Sequence, residues 1–378
     1  MSAKVKPDTK NRFVIIMAGG RGERFWPVSR DRMPKQLLTL LGKRSFLQQA
    51  VERVLPLVPV KNIFVITNET QLPEVRKQLP KIPKANLIAE PIGRDTTAAV
   101  TLGAALVGAR LTTGVMAVLP ADHVIPDEKK FQQVLNDAFD LASRGQAIIT
   151  IGIQPAGPDT GYGYIQVGQE LPPAQGAKKT KTTFFKAERF VEKPDFQRAL
   201  EYVNSGQYRW NAGMFVWSFV TVTEGLQKHQ PEMYAACQRW FKVANKPAKL
   251  AKVLAKDYPG IRKVSIDYAL MEKAQNVIVA DGAFEWDDVG SWTALGRHLK
   301  ADPEGNCVVA DFIHVDGARN IIYDARTKSK TPIAVVGLRD SILVQTDDAV
   351  LLAHKSQAQK VKELVKRLGD DPKLKKLV

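Results

Sequence analysis

The chain has 378 residues, 44% hydrophobic and 25% charged, which is room for one large domain with a sizeable core and a smaller second domain. Its two cysteines, Cys237 and Cys307, exclude a disulfide framework; no apolar run reaches the roughly 18 residues of a membrane span, and MSAKVKPDTKNR lacks the apolar segment of a secretion signal, so a cytoplasmic protein without a membrane partner is expected. The net charge of +16 sits in residues 1–12, 172–186, 242–263 and 355–378, terminal and connecting stretches rather than one recognition element, and this argues against a nucleic-acid partner.

The first apolar run, Phe13–Ala18, reads as a buried strand. It opens into MAGGRGERFWPVSRDRMPKQ, Met17–Gln36, with three glycines in its first six residues, and four arginines and a lysine in the whole stretch. Further apolar runs follow at Ile63–Ile66, Val115–Leu119 and Ala147–Ile153. Helical patterns at Phe46–Val54, Thr96–Ala109 and Phe131–Ala142 separate them. Short apolar runs alternating with helices predict a parallel sheet covered on both faces, with ligands beyond the carboxyl ends of its strands. The glycine loop and Asp122, in Val118-Leu119-Pro120-Ala121-Asp122-His123, both follow such ends.

The middle of the chain is mixed. Gly161–Val167, Phe184–Val191 and Trp210–Phe219 read as strands, Val264–Ala274 as a helix, and Lys242–Lys256 as a helix interrupted by Pro247. The basic segment Pro172–Lys181 reads as an exposed hairpin loop. After residue 300, β-like runs crowd together at Cys307–Ala310, Asn320–Tyr323, Pro332–Val336, Ile342–Gln345 and Val350–Ala353, followed by a helix at Gln357–Leu368. The expected division is a catalytic domain over 11–299 and a small β-rich domain over 300–378. The second suggests a short β-helix but shows no clear hexapeptide period.

Glycines permit positive φ and close backbone approach, so successive amides can point at one anion. Arg21, Arg24 and Arg30 add charge-assisted donors, and Lys35 a point charge. The loop is neither a P-loop nor the dinucleotide fingerprint, since Phe25 stands where the third glycine belongs. A tight turn with surface arginines is the plain structural alternative.

The run Ala18-Gly19-Gly20-Arg21-Gly22-Glu23-Arg24-Phe25-Trp26-Pro27, followed by Pro34-Lys35-Gln36, resembles the signature of the sugar nucleotidylyltransferases. Within that family it is most similar to the mannose-1-phosphate guanylyltransferases. The resemblance recurs at Glu90–Thr97, Pro120–His123, Gly161–Tyr164, Phe190–Pro194, Trp210–Phe215, Ser265–Tyr268 and Trp286–Trp292, in family order across about 13–297. It implies a Rossmann-like, mixed and mainly parallel sheet covered by helices (GT-A-like), plus the β-rich C-terminal domain. It also implies attack by the phosphate of mannose 1-phosphate on the α-phosphorus of GTP, giving GDP-mannose and pyrophosphate.

In that scheme Arg24 and Lys35 hold the triphosphate, with the amides of Gly19, Gly20 and Gly22. Asp122 and Asp288 hold Mg²⁺, because two carboxylates facing a phosphate repel it unless a cation intervenes. Asp287 is the rival for the second place, and an N-cap or turn role is the plain alternative for Asp122. Lys193 is implied to bind the sugar phosphate, Glu192 the sugar hydroxyls, and Asn211 and Gly163 the sugar. Glu90 is expected to read guanine, whose N1–H and N2–H₂ donors suit one carboxylate; Gly93 lies in the same nucleotide-binding block. Arg94 and Asp95 form a local ion pair or contact the ligand. Trp26, Trp286 and Trp292 are expected to be walls that order the loops.

Three alternatives stay open. One is a nucleotidylyltransferase for another sugar 1-phosphate. Another is a catalytically silent regulatory or scaffolding homologue, which could dispense with Lys35, Asp122, Lys193 or Asp288. The last is a glycosyltransferase, which gives no reason for a triphosphate loop. The chain is expected to work without the isomerase domain of longer relatives, and the C-terminal domain to pack a homodimer interface or cover the sheet.

Overall fold

The computed structural model describes residues 9–172, 180–328 and 331–378; most of the segment Pro172–Lys181 lies outside them. The chain forms two compact units. The first takes residues up to Gly19, Ala50–Ala121 and Ile125–Trp286, and the second takes Gly20–Gln49, Asp122–Val124 and Asp287–Val378. These units interleave along the chain, whereas the division expected at 299/300 is consecutive. The glycine-rich loop and Asp122 therefore share a unit with the β-rich stretch.

The first unit is built on a nine-stranded sheet. In chain order its strands are β1 (Arg12–Met17), β2 (Ile63–Asn68), β3 (Leu87–Glu90), β4 (Val115–Pro120), β5 (Ile148–Ile153), β6 (Tyr164–Glu170), β7 (Phe184–Val191), β8 (Tyr208–Ser218) and β9 (Val277–Gly282). They are arranged β3-β2-β1-β4-β8-β5-β9-β7-β6. The first four are parallel, as the alternation of apolar runs and helices predicts; β8 enters antiparallel between β4 and β5. Val14, Ile15 and Ile16 are all fully buried, so β1 is covered on both faces and its sequence does not alternate.

Among the described residues, eight helices accompany the sheet: α1 (Phe46–Val54), α2 (Leu72–Gln78), α3 (Asp95–Arg110), α4 (Glu128–Ala142), α5 (Phe196–Ser205), α6 (Phe219–His229), α7 (Pro231–Phe241) and α8 (Pro247–Asp257). Helix α1 carries the chain across the boundary at Gln49/Ala50. Helix α3 is buried almost all round, and Gly103 lets it approach the sheet: a Cβ there would meet Ile15 at 3.0 Å. Pro247 does not interrupt a helix but starts one, at a first-turn position where its missing N–H costs nothing. The expected helix at Val264–Ala274 is a π-helical turn over Asp267–Met271.

The second unit adds α9 (Trp292–Gly296), strands β10 (Cys307–Val309), β11 (Phe312–Val315), β12 (Ile321–Asp324), β13 (Ile333–Val336), β14 (Ser341–Gln345) and β15 (Val350–His354), and α10 (Val361–Asp370). Strands β10, β12 and β14 pair in parallel, as do β11 and β13, and β15 closes antiparallel on β14. Ile321 pairs with Ile342 and Phe312 with Ile333, each twenty-one residues on. Cys307 pairs with Ile321 only fourteen residues on, so the β-helix coils are uneven in length, which explains why no hexapeptide period is visible. Asparagines stack along it: Asn306 Oδ1 accepts from the Asn320 backbone N–H, and Asn320 Oδ1 from that of Ser341.

The core of this unit joins Phe25, Trp26 and Phe46 to Trp292, Ile321, Ile342, Val361 and Val365. Trp292 Nε1 donates to the Trp26 carbonyl at 3.1 Å, and Trp26 Nε1 to the Leu377 carbonyl at 2.8 Å. The tryptophans of the glycine loop and of the 286–292 block, Trp26 and Trp292, are walls as expected. No helix among the described residues is long and apolar enough to cross a membrane.

Candidate active site

In the second unit, Gly22, Arg24, Lys35, Asp122 and Asp288 line one cavity of about 270 Å³. Gly22 has φ +60, and a Cβ there would lie 2.6 Å from both the backbone nitrogen and the Cβ of Lys35. The glycine thus permits the left-handed turn and lets Lys35 pack against it. Pro34 introduces a 3-10 turn over Lys35–Leu37, and the Lys35 side chain runs between the rings of Phe25 and Phe46. Its ammonium donates to Asp122 Oδ2 at 2.9 Å and to the Asp288 carbonyl. The Gly20 carbonyl accepts from the Gln36 side chain at 2.9 Å, which fixes the loop's first turn.

Burial works against ionisation of Asp122, but the charge of Lys35, then that of His123, holds its carboxyl below the usual range. The anion is thus poised for a cation. Asp287, the rival, is committed elsewhere. Arg297 grips its two oxygens at 2.9 Å, His298 reaches Oδ2 at 2.8 Å, and the Val289 N–H donates to Oδ1 at 2.7 Å. Val289 is fully buried with φ +47, a conformation a β-branched residue rarely adopts. That strained turn sends Asp287 to its partners and leaves Asp288 lining the cavity. Lys35 thus ties the Asp122 carboxylate to the backbone of Asp288, and two aspartates on one cavity are oxygen ligands of the kind a hard divalent cation takes.

In the first unit, Glu90 ends β3 and is 6% exposed. Tyr258 Oη donates to its Oε1 at 3.0 Å, and a Cβ at Gly19 would meet Oε2 at 3.3 Å. Burial raises the Glu90 carboxyl to about 7; the Tyr258 bond opposes this and the charge of Asp95 adds to it. Gly93 is exposed in the turn before α3. Arg94 makes no ion pair with Asp95 among the described residues: it donates to the carbonyls of Tyr258, at 2.9 Å, and Pro259, at 2.6 Å. It braces the segment that carries Tyr258.

The expected sugar contacts also gather in this unit. A Cβ at Gly163 would meet Glu192 Oε2 at 2.7 Å, so any larger residue there has to displace the Glu192 carboxylate. Lys193 has φ +45 and pairs with Glu192 at 2.8 Å. Asn211 donates to Asp267 Oδ1 at 2.7 Å and accepts from the Gly213 N–H at 3.1 Å, so both ends of its amide are fixed. Burial raises the Asp267 carboxyl to about 6, with the Asn211 bond opposing and Glu192 adding. Tyr162 packs on Trp210 at 4.9 Å and on Trp286 at 5.1 Å.

Tyr258, Asp267 and Lys362, which also lines the cavity of the second unit, had no assigned role in the sequence reading. Asp267 lies in the Ser265–Tyr268 block, and its position before an apolar turn is the available signal. Tyr258 and Lys362 carry none.

A glycine turn packed on a buried lysine, with arginine and two carboxylates around one cavity, suits a phosphorylated substrate. The model of the family described as nucleotidyl transferase matches residues 13–304, and that of the MannoseP isomerase/GMP-like beta-helix domain matches 310–368. The chain belongs to the nucleotidyl transferase family, whose members generally use a divalent metal ion. It is 38% identical over 356 residues to the xanthan biosynthesis protein XanB of Xanthomonas campestris pv. campestris (strain B100), covering 94% of this chain and 72% of that one. It is 38% identical over 356 residues to a mannose-1-phosphate guanylyltransferase of Salmonella montevideo, covering 94% and 73%. A crystal structure of mannose-1-phosphate geranyltransferase from Thermus thermophilus superposes with a TM-score of 0.80 at 35% identity, over 95% of this chain and 99% of that one.

Proposed function

We propose that the protein transfers GMP from GTP to the phosphate of α-D-mannose 1-phosphate, releasing pyrophosphate and forming GDP-mannose. The observation that carries this reading is the convergence of Arg24, Lys35, Asp122 and Asp288 on one cavity in a chain of the nucleotidyl transferase family. The guanylyltransferase relative supports the choice of substrates.

The reaction replaces one phosphoanhydride by another. A phosphate oxygen of mannose 1-phosphate bonds to the α-phosphorus while the bond to the bridging oxygen of the β-phosphate breaks, and that oxygen leaves with its electron pair on pyrophosphate. The protein needs no covalent intermediate; it has to position two polyanions and offset their repulsion. Arg24, Lys35 and the amides of Gly19, Gly20 and Gly22 hold the triphosphate. Asp122 and Asp288 would hold Mg²⁺, which when bound would neutralise charge at the phosphates. Glu90, ionised, accepts from guanine N1–H and N2–H₂, and Gly93 leaves the adjacent turn open. Lys193 binds the sugar phosphate, while Glu192, Asn211 and the backbone of Gly163 take the sugar. We place it in the cytoplasm, in keeping with two cysteines too few for a disulfide framework.

The test is a matrix of four nucleoside triphosphates against several sugar 1-phosphates, with and without Mg²⁺, reading pyrophosphate. Release that peaks with GTP and mannose 1-phosphate supports the reading. A peak with another sugar moves the assignment to that sugar, because hexose choice rests on few hydroxyl contacts. No release with any pair overturns it.

A further inference from the structure

We propose that Lys362, on the C-terminal helix α10, is a further phosphate-binding residue whose ammonium completes the cation set around the leaving pyrophosphate. The inference rests on the transfer reading above and gives the β-rich half of the chain a part in it.

Lys362 lines the same cavity as Arg24, Lys35, Asp122 and Asp288. The other cations there are not equally available. Lys35 is engaged by Asp122, and Arg21 leans on Glu23 at 3.5 Å and Asp31 at 3.6 Å. Among the described residues, the side chains of Arg24 and Lys362 make no hydrogen bond or ion pair, so these two charges are free for a ligand. The cavity sets Arg21, Arg24, Lys35 and Lys362 against Glu23, Asp122 and Asp288. That is a surplus of one positive charge, and a divalent cation raises it to match the roughly three negative charges of pyrophosphate. Without Lys362 the cavity's own side chains only balance.

The position of this lysine is built in. Val361, Val365 and Leu368 recur at helical spacing and bury one face of α10 in the core that holds Phe25 and Trp26. The helix lies against the turn Glu23–Phe25 that presents Arg24. Past the helix, the Leu377 carbonyl accepts from both Trp26 Nε1 and Arg30 Nη1, and Arg30 pairs with Asp348 at 2.8 Å. The glycine loop and the end of the chain are therefore one packed body, and Lys362 follows directly from its buried neighbour Val361. An ammonium on a flexible stem suits a phosphate that arrives as part of GTP and leaves as pyrophosphate.

The test compares wild type with Lys362→Ala and Lys362→Arg in both directions of the reaction. Loss of one charge-assisted contact should raise KM for pyrophosphate in the reverse reaction, and for GTP in the forward one, about tenfold. KM for mannose 1-phosphate and the melting temperature should stay as in wild type, and Lys362→Arg should restore most of the loss. Unchanged KM for pyrophosphate and GTP in Lys362→Ala overturns the inference. So does a fall in kcat with a lowered melting temperature and unaltered KM, which marks a structural role. If wild type releases no pyrophosphate, the transfer reading fails by itself, and calorimetry with inorganic pyrophosphate decides for Lys362: about tenfold weaker binding to Lys362→Ala supports it, equal binding overturns it.

Discussion

Lys35 donates from Nζ to Asp122 Oδ2 at 2.9 Å, from a side chain that is only 4% exposed. The lysine is eighty-seven residues from its partner in the chain. Gly22, Pro34 and the rings of Phe25 and Phe46 hold it in place. Lys35→Ala should therefore lower kcat/KM for GTP by about 10²–10³, the usual effect of removing one preorganised charge contact. Steady-state pyrophosphate release measures it; a change below threefold would take Lys35 out of the reacting centre.

Gly22→Ala should be nearly as damaging although it adds one methyl group. The Cβ would fall 2.6 Å from backbone and side chain of Lys35, at a φ of +60 that alanine adopts only under strain. The expected result is a loss of kcat/KM of about 10² together with a lowered melting temperature. Wild-type kinetics would mean that the loop relaxes without moving the lysine.

The pH dependence of GTP binding should report on Glu90. Its carboxyl is raised to about 7 by burial, so the ionised form needed to accept from guanine is lost as pH falls through that value. If only the carboxylate binds, KM for GTP should rise about tenfold between pH 8 and pH 6, and KM for mannose 1-phosphate should not follow it. Glu90→Gln should abolish that pH dependence and weaken the preference for GTP over ATP and UTP. An unchanged preference removes Glu90 from base reading.

Asp267 should act on the sugar through Asn211. With Gly213 N–H donating to Asn211 Oδ1 and Asp267 accepting from Nδ2, the amide has one orientation. Asp267→Leu frees it to turn, and KM for mannose 1-phosphate should rise about tenfold with KM for GTP unchanged. Equal effects on both substrates would indicate a folding defect instead.

The parallel strands were legible because β1, β2, β4 and β5 are short runs of Val, Ile and Phe that are buried on both faces. Strand β8 was legible as a strand but not as the antiparallel element between β4 and β5, since nothing in Tyr208–Ser218 encodes its neighbours. The β-helix was half legible: its strands showed, but registers of fourteen and twenty-one residues leave no short repeat to see. Asp122 and Asp288 could be placed by their blocks, and Asp287 was separated from Asp288 only by the buried turn at Val289 and the partners Arg297 and His298. Lys362 was hidden in a lysine-rich tail whose charges look alike in sequence; which one lines a cavity depends on how α10 buries Val361 and Val365.

The account turns on Asp122 and Asp288 sharing one divalent ion. Crystals grown with GTP and Mn²⁺, measured at the manganese edge, test this directly. The account requires an anomalous peak about 2.0–2.2 Å from a carboxylate oxygen of each aspartate, absent in Asp288→Asn. A peak only at Asp302, Glu304 and His314, whose ligand atoms lie within 4.8 Å of one another, or none at all, would contradict it.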